Sequence, residues 1–161
     1  MTRDLPKAVE LFRRACDGHV GAGCYELGLL TARGQGTAAD LAKATSLLRD
    51  ACTAGDPRGC VTLGELFQSG RGVVRDLNRA AKLFDEACQK DSLAGCSAFA
   101  AMLESGDIIG RDMAHARSLY EKTCAGGIAA DCYTLGKIVK NDANGRRPAF
   151  EIGRASCRER V

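Results

Sequence analysis

Tryptophan is absent from this 161-residue chain, and aromatic residues of all kinds make up only 5% of it. Large aromatic plugs therefore cannot build the core. Ala, Leu and Gly carry the apolar content instead, which suits helices packed closely through small side chains. Histidine is scarce too: with His19 and His115 alone, a histidine-based metal centre is excluded. No apolar run reaches the length of about 18 residues that a membrane-crossing helix needs. The formal charge excess is +3, too small to call for a nucleic-acid or membrane partner. Catalytic signatures are missing as well. No serine has a lysine three residues on, and there is no P-loop and no G-x-G-x-x-G between a strand and a helix. With 45% hydrophobic and 27% charged residues, the composition is that of a globular chain with no catalytic residue or cofactor in evidence.

Cysteine, by contrast, is plentiful, with nine residues. Eight of them, Cys16 and Cys24, Cys52 and Cys60, Cys88 and Cys96, Cys124 and Cys132, form C-x₇-C pairs that recur every 36 residues. A fixed period of this size marks a solenoid of repeated units. Other positions keep the register: Asp4, Asp40, Asp76 and Asp112; Ala8, Ala44, Ala80 and Ala116; Leu11, Leu47, Leu83 and Leu119; Phe12, Leu48, Phe84 and Tyr120. Gly23, Gly59 and Gly95 precede the second cysteine, and Gly28, Gly64 and Gly136 share a register with Ala100.

Each period predicts two helices. Aspartate is a strong N-cap, since its carboxylate accepts from the free N–H groups of the first turn. Pro6 is tolerated two residues later because its missing N–H has no helical partner there. Ala8, Leu11, Phe12 and Ala15 then fall on one helical face. The first helix should end near the first cysteine, before a short loop such as Asp17-Gly18-His19-Val20-Gly21. The second should open near the second cysteine and stop at Gly34, Gly70 or Gly106, which suit a left-handed C-terminal cap. Gly28 and Gly64 lie inside it, where glycine costs about 1 kcal/mol against alanine. Close approach of a neighbouring helix is the expected compensation.

The cysteines admit three uses. The first is disulfides, joining either the two members of a pair or, across a hairpin, Cys24 to Cys52. Zinc would need four ligands, and equivalent pairs on neighbouring units sit too far apart when helices pack at about 8–10 Å. Redox catalysis favours C-x-x-C beside a βαβ pattern, and neither is present. A disulfide closing the short loop would stabilise the fold by about 2.5 kcal/mol through chain entropy.

The run Ala22-Gly23-Cys24-Tyr25-Glu26-Leu27-Gly28-Leu29-Leu30, then Gly34-x-Gly36, Asp40-Leu41-x-Lys43-Ala44 and Leu47-Leu48-x-x-Ala51-Cys52, resembles a Sel-one-like repeat, a relative of the tetratricopeptide repeat. The paired cysteines are similar to the Helicobacter cysteine-rich subclass of that family. The resemblance implies an all-α, right-handed superhelical solenoid of antiparallel helix pairs. It also implies one disulfide per repeat: Cys16–Cys24, Cys52–Cys60, Cys88–Cys96 and Cys124–Cys132. A periplasmic or secreted location follows, because structural disulfides need an oxidising compartment; a mitochondrial intermembrane-space relative is the less favoured alternative. The implied function is a monomeric scaffold that binds a protein or peptide in a concave groove lined by the second helices, without nucleic acid, membrane insertion, metal or cofactor. Positions that differ between repeats on those helices nominate Tyr25, Glu65, Tyr133 and Lys137 as contacts. Some cysteine-rich members are described as β-lactamases, which makes β-lactam binding or weak hydrolysis the alternative, on resemblance alone.

Two departures stand out. The loop Gly106-Asp107-Ile108-Ile109-Gly110 lacks the usual glycine pair, and Lys140 to Arg147 lose the pattern. Residues 1–150 are expected to be a solenoid fragment of about four repeats, its first and last incomplete, since Met1 falls mid-repeat just before an N-cap and the last unit loses the pattern; the missing signal peptide therefore says little. Residues 151–161, Glu151 to Val161, resemble translated sequencing-adapter read-through and are expected to be a non-native tail, Cys157 included.

Overall fold

A computed structural model describes residues 4–106 and 110–143. The tail 151–161, Cys157 and the central residues of the loop 106–110 lie outside the described residues, as do Asn144 to Arg147. The described residues form eight helices and no strand: α1 (Leu5–Asp17), α2 (Gly21–Arg33), α3 (Leu41–Thr53), α4 (Pro57–Ser69), α5 (Leu77–Gln89), α6 (Leu93–Ser105), α7 (Met113–Ala125) and α8 (Ala129–Ala143).

The aspartate register caps every first helix. Asp4, Asp40, Asp76 and Asp112 accept from the backbone N–H of Lys7, Lys43, Arg79 and His115 at 2.9–3.1 Å. Each cap satisfies one donor that the helix leaves open. Second helices start three residues before their cysteine. The connecting loop is correspondingly tight, and its left-handed residue is His19 at φ 60, with Gly55, Asp91 and Gly127 in the same register. Glycine, aspartate and histidine all tolerate that conformation.

Two compact units divide at Gly95 and Cys96, within the first turn of α6. In unit 1 each of α1 to α4 packs on the next. Its core joins Leu27, Ala44, Leu48, Ala51, Leu63, Phe67, Ala80, Phe84 and Ala87. The helix-interior glycines serve this packing. A Cβ on Gly28 would lie 3.2 Å from Leu48 Cγ, and one on Gly64 only 2.6 Å from Phe84 Cε1. In unit 2, α7 packs on α8, and α6 meets α7 through the edge-to-face contact of Phe99 with His115. Ala100, Met102, Leu103, Ala116, Leu119, Tyr120 and Ile138 are its buried apolar side chains.

Disulfides join Cys16–Cys24, Cys52–Cys60 and Cys124–Cys132, with Cα atoms 4.5–4.6 Å apart. Cys88 and Cys96 are also disulfide-bonded, so each of the four repeats carries one bridge. The short-loop pairing holds, and the bridge draws the helices together: Cβ atoms on Gly23, Gly59 and Gly95 would sit 2.6–2.7 Å from the Cβ of Ala15, Ala51 and Ala87.

Candidate functional site

The four nominated contact residues divide between the units. In unit 1, Tyr25 is half-buried on α2 and Glu65 is exposed on α4. The arginine that organises the Tyr25 surface, Arg58, stands at a position where the other repeats have Ala22, Ala94 and Ala130. Asp56 caps α4, accepting from the backbone N–H of Arg58 at 3.0 Å. The same carboxylate takes the Arg58 guanidinium, Nη2 donating to Oδ2 at 2.7 Å and Nε to Oδ1 at 3.1 Å. Nη1 reaches Glu26 Oε1 at 3.3 Å. Held on both sides, the guanidinium lies 4.4 Å from the centre of the Tyr25 ring. The hydrogen bond from Arg58 lowers the Asp56 pKa against the opposing effect of burial, and the same bond raises that of Arg58.

Neighbouring positions on these helices are less free than their variation suggests. Val61 packs against Cys52, Cys60 and Ala87. Lys90 donates to the Cys52 carbonyl at 3.0 Å and to Glu86 Oε1 at 2.8 Å. Cys52, Cys60 and Glu86 come within reach of a common point, but the bridge removes both thiolates and Lys90 already neutralises the carboxylate. Unit 1 also holds a cleft of about 750 Å³ beside the first disulfide, lined by Asp17, His19, Leu47, Asp50 and Thr53. The sequence signal for it is weak: Asp17, His19 and Asp50 are polar, but loops commonly are.

In unit 2, Tyr133 and Lys137 meet as neighbours on α8, with Lys137 Nζ 5.3 Å from the ring centre. Tyr133 is 71% exposed. Ser97, in the register of Tyr25 and Tyr133, turns to an internal role and donates to Asp131 Oδ1 at 3.0 Å. Asp131 replaces the glycine of the other repeats and is buried, its Oδ2 having no protein partner. Tyr120, in the register of Phe84, donates to Glu104 Oε2 at 2.9 Å. Burial first, and then Glu104, push the Tyr120 phenol pKa up.

The Sel1 repeat profile matches residues 1–19, 21–56, 57–92 and 94–128. The chain belongs to the Sel1-repeat family. Its fold is similar to that of a Sel1 repeat protein from Oxalobacter formigenes, at 24% identity and a TM-score of 0.77, over 84% of this chain and 55% of that one. A protective antigen of uropathogenic Escherichia coli strains, displaying an SLR fold, is 30% identical with a TM-score of 0.80, over 86% of this chain and 30% of that one. Helicobacter pylori cysteine rich protein B is 26% identical with a TM-score of 0.66, over 83% of this chain and 96% of that one. This Sel1-repeat chain thus spans about half, and under a third, of the first two. No curated protein gives a significant match. Among the described residues no helix is long and apolar enough to cross a membrane.

Proposed function

We propose that this Sel1-repeat chain is an extracytoplasmic scaffold that binds a protein or peptide. Sel1-repeat proteins generally bind proteins. The observation that carries the reading here is the Tyr25–Arg58 pair, an aromatic and a guanidinium fixed in place by Asp56 and Glu26. Tyrosine and arginine dominate the energetics of protein interfaces. Side chains already locked lose less rotational freedom on binding. Glu65 extends this surface along α4, and Tyr133 with Lys137 offers a second, separate contact on α8. The mixed charges of Glu26, Arg58 and Glu65 suit a partner with both signs of charge beside an apolar or aromatic anchor. The disulfides, one per repeat, favour an oxidising compartment, the periplasm or the cell exterior.

Peptides selected from a displayed library against the oxidised protein test the reading. Their affinity is then titrated against a variant carrying Tyr25→Ala, Arg58→Ala, Glu65→Ala, Tyr133→Ala and Lys137→Ala. Binding at least about 30-fold weaker, the equivalent of one strong interface residue, supports the surface. Unchanged affinity in a folded variant removes it.

A further inference from the structure

Two places in unit 1 share one register and differ in one respect: the first holds an ammonium of the chain itself, and the second does not. The first lies where the end of α5 meets the Cys52–Cys60 bridge. Lys90 is the C-cap of α5, and its side chain reaches back to that bridge. Nζ donates to the Cys52 carbonyl at 3.0 Å and to Glu86 Oε1 at 2.8 Å, and lies 3.9 Å from Cys60 Sγ. An ammonium has three N–H donors and no acceptor, so this set of oxygens and sulfur suits it.

The second place is the cleft of about 750 Å³ beside the Cys16–Cys24 bridge. Its lining repeats the first place one period of 36 residues earlier. Cys16 and Cys24 stand for Cys52 and Cys60, Leu47 for Leu83, and Asp50 for Glu86. Ala54, the C-cap of α3, stands for Lys90. The bridge, the carbonyl and the carboxylate are thus kept, and a methyl group replaces the amine that they serve. The Cys16 carbonyl accepts from the His19 N–H at 2.8 Å, as the Cys52 carbonyl accepts from that of Gly55 at 3.1 Å. A carbonyl has a second lone pair. Lys90 takes it at Cys52, and among the described residues no side chain takes it at Cys16. The cleft is also more acidic than its counterpart, since Asp17 holds the register of Thr53. Among the described residues neither Asp17 nor Asp50 forms an ion pair. α1 ends at Asp17 and α3 at Thr53, so the negative ends of two helix dipoles adjoin the cleft. His19, which is exposed, is the one basic side chain in the lining.

We propose that this cleft takes the side-chain ammonium of a lysine from the bound peptide, seated between Asp50 and the Cys16 carbonyl as Lys90 is seated between Glu86 and the Cys52 carbonyl. The proposal rests on the peptide-scaffold reading above and names one residue of the peptide. The chain's own packing specifies the occupant, because the same register already holds a lysine one repeat later. Leu47 offers an apolar wall to the aliphatic stem, which lysine buries while its charge stays with polar groups. Asp17 adds negative charge at the same cleft, and the volume leaves room for the stem and the backbone that carries it.

Titration of the oxidised full chain with Nα-acetyl-lysine N-methylamide, followed by amide NMR shifts, tests it. The probe has no aromatic group or second side chain for the Tyr25 surface, so its result is read apart from that of the library peptides. Shifts should concentrate on the amides of Asp17, His19, Asp50 and Thr53. The norleucine and Nε-acetyl-lysine analogues, which lack the charge, should bind at least about tenfold more weakly, as loss of a charge-assisted contact predicts. Asp50→Asn should weaken the lysine probe about threefold, within the range of an exposed ion pair. Ala54→Lys supplies the chain's own amine and should abolish binding, with circular dichroism showing that the helices are kept. A norleucine probe that binds equally well, or an Ala54→Lys protein that binds like the wild type, overturns the proposal. Propylamine binding as tightly as the lysine probe would assign the cleft to free amines and overturn its peptide half. Library peptides that bind while the lysine probe does not would overturn this cleft alone and leave the scaffold reading standing.

Discussion

Alanine at Gly64 and alanine at Gly136 should change stability in opposite directions, although both replace a glycine inside a second helix at the same register. Helix propensity alone favours alanine by about 1 kcal/mol at either site. At Gly64 the new Cβ would lie 2.6 Å from Phe84 Cε1 and 2.9 Å from Cδ1. Phe84 is among the most completely buried side chains of unit 1, so its ring cannot move without disturbing α4 and α5 together. Overpacking of that kind costs about 1–3 kcal/mol. The overlap is severe enough to take the upper part of the range, leaving a net loss of about 1 kcal/mol, or a fall of about 4–8 °C in Tm for a unit of this size. At Gly136 no described atom lies within 4 Å, so the propensity gain of about 1 kcal/mol should appear undiminished. Urea denaturation followed by circular dichroism, with disulfides intact, reads unit 1. Amide exchange along α8 reads the second site. Stabilisation of similar size by both substitutions would refute the close-approach account of the helix-interior glycines.

Removing one bridge as Cys52→Ala/Cys60→Ala should cost about 2.5 kcal/mol from the lost loop constraint, seen as a lower urea midpoint; a loss under about 0.5 kcal/mol would show that the bridge is not a structural staple. Non-reduced mass spectrometry should find the eight repeat cysteines lacking one hydrogen each, and eight alkylatable thiols in periplasmically expressed protein would contradict the bridges. The raised Tyr120 pKa favours the protonated phenol in the folded state. Its stabilising contribution is complete below the unfolded value of about 10 and is lost as pH climbs through the folded value. Urea midpoints should therefore fall above about pH 10, and Tyr120→Phe should flatten that decline; an unchanged slope would remove Tyr120 as its source. Purified protein should show no nitrocefin turnover that survives size-exclusion chromatography, and turnover that co-elutes with it would revive the β-lactam alternative.

Features that repeat were legible in the sequence, because each of them states the same physical requirement several times. The aspartate caps, the C-x₇-C bridges and the glycines facing Leu48 and Phe84 all belong to this class. Features made once were not legible. Arg58 breaks a row of alanines, but its meaning depends on Asp56, Glu26 and Tyr25 converging from two helices. Ser97 shares the register of Tyr25 and Tyr133, but its hydroxyl turns to Asp131. Tyr120 looked like one more apolar knob, and its hydroxyl finds Glu104 across the α6–α7 contact. Each second helix opens near its cysteine, as the spacing placed it, with the first residue three positions earlier. Its tight connection is set by the left-handed residues His19, Gly55, Asp91 and Gly127, not by Gly18.

Hydroxyl-radical footprinting of the tyrosines, with and without a saturating selected peptide, tests the scaffold reading most directly. The chain has only three, so each can be followed. Tyr25 should lose reactivity on binding, while buried Tyr120 stays slow in both states. Tyr25 reacting at its free rate in the saturated complex would contradict the proposed surface.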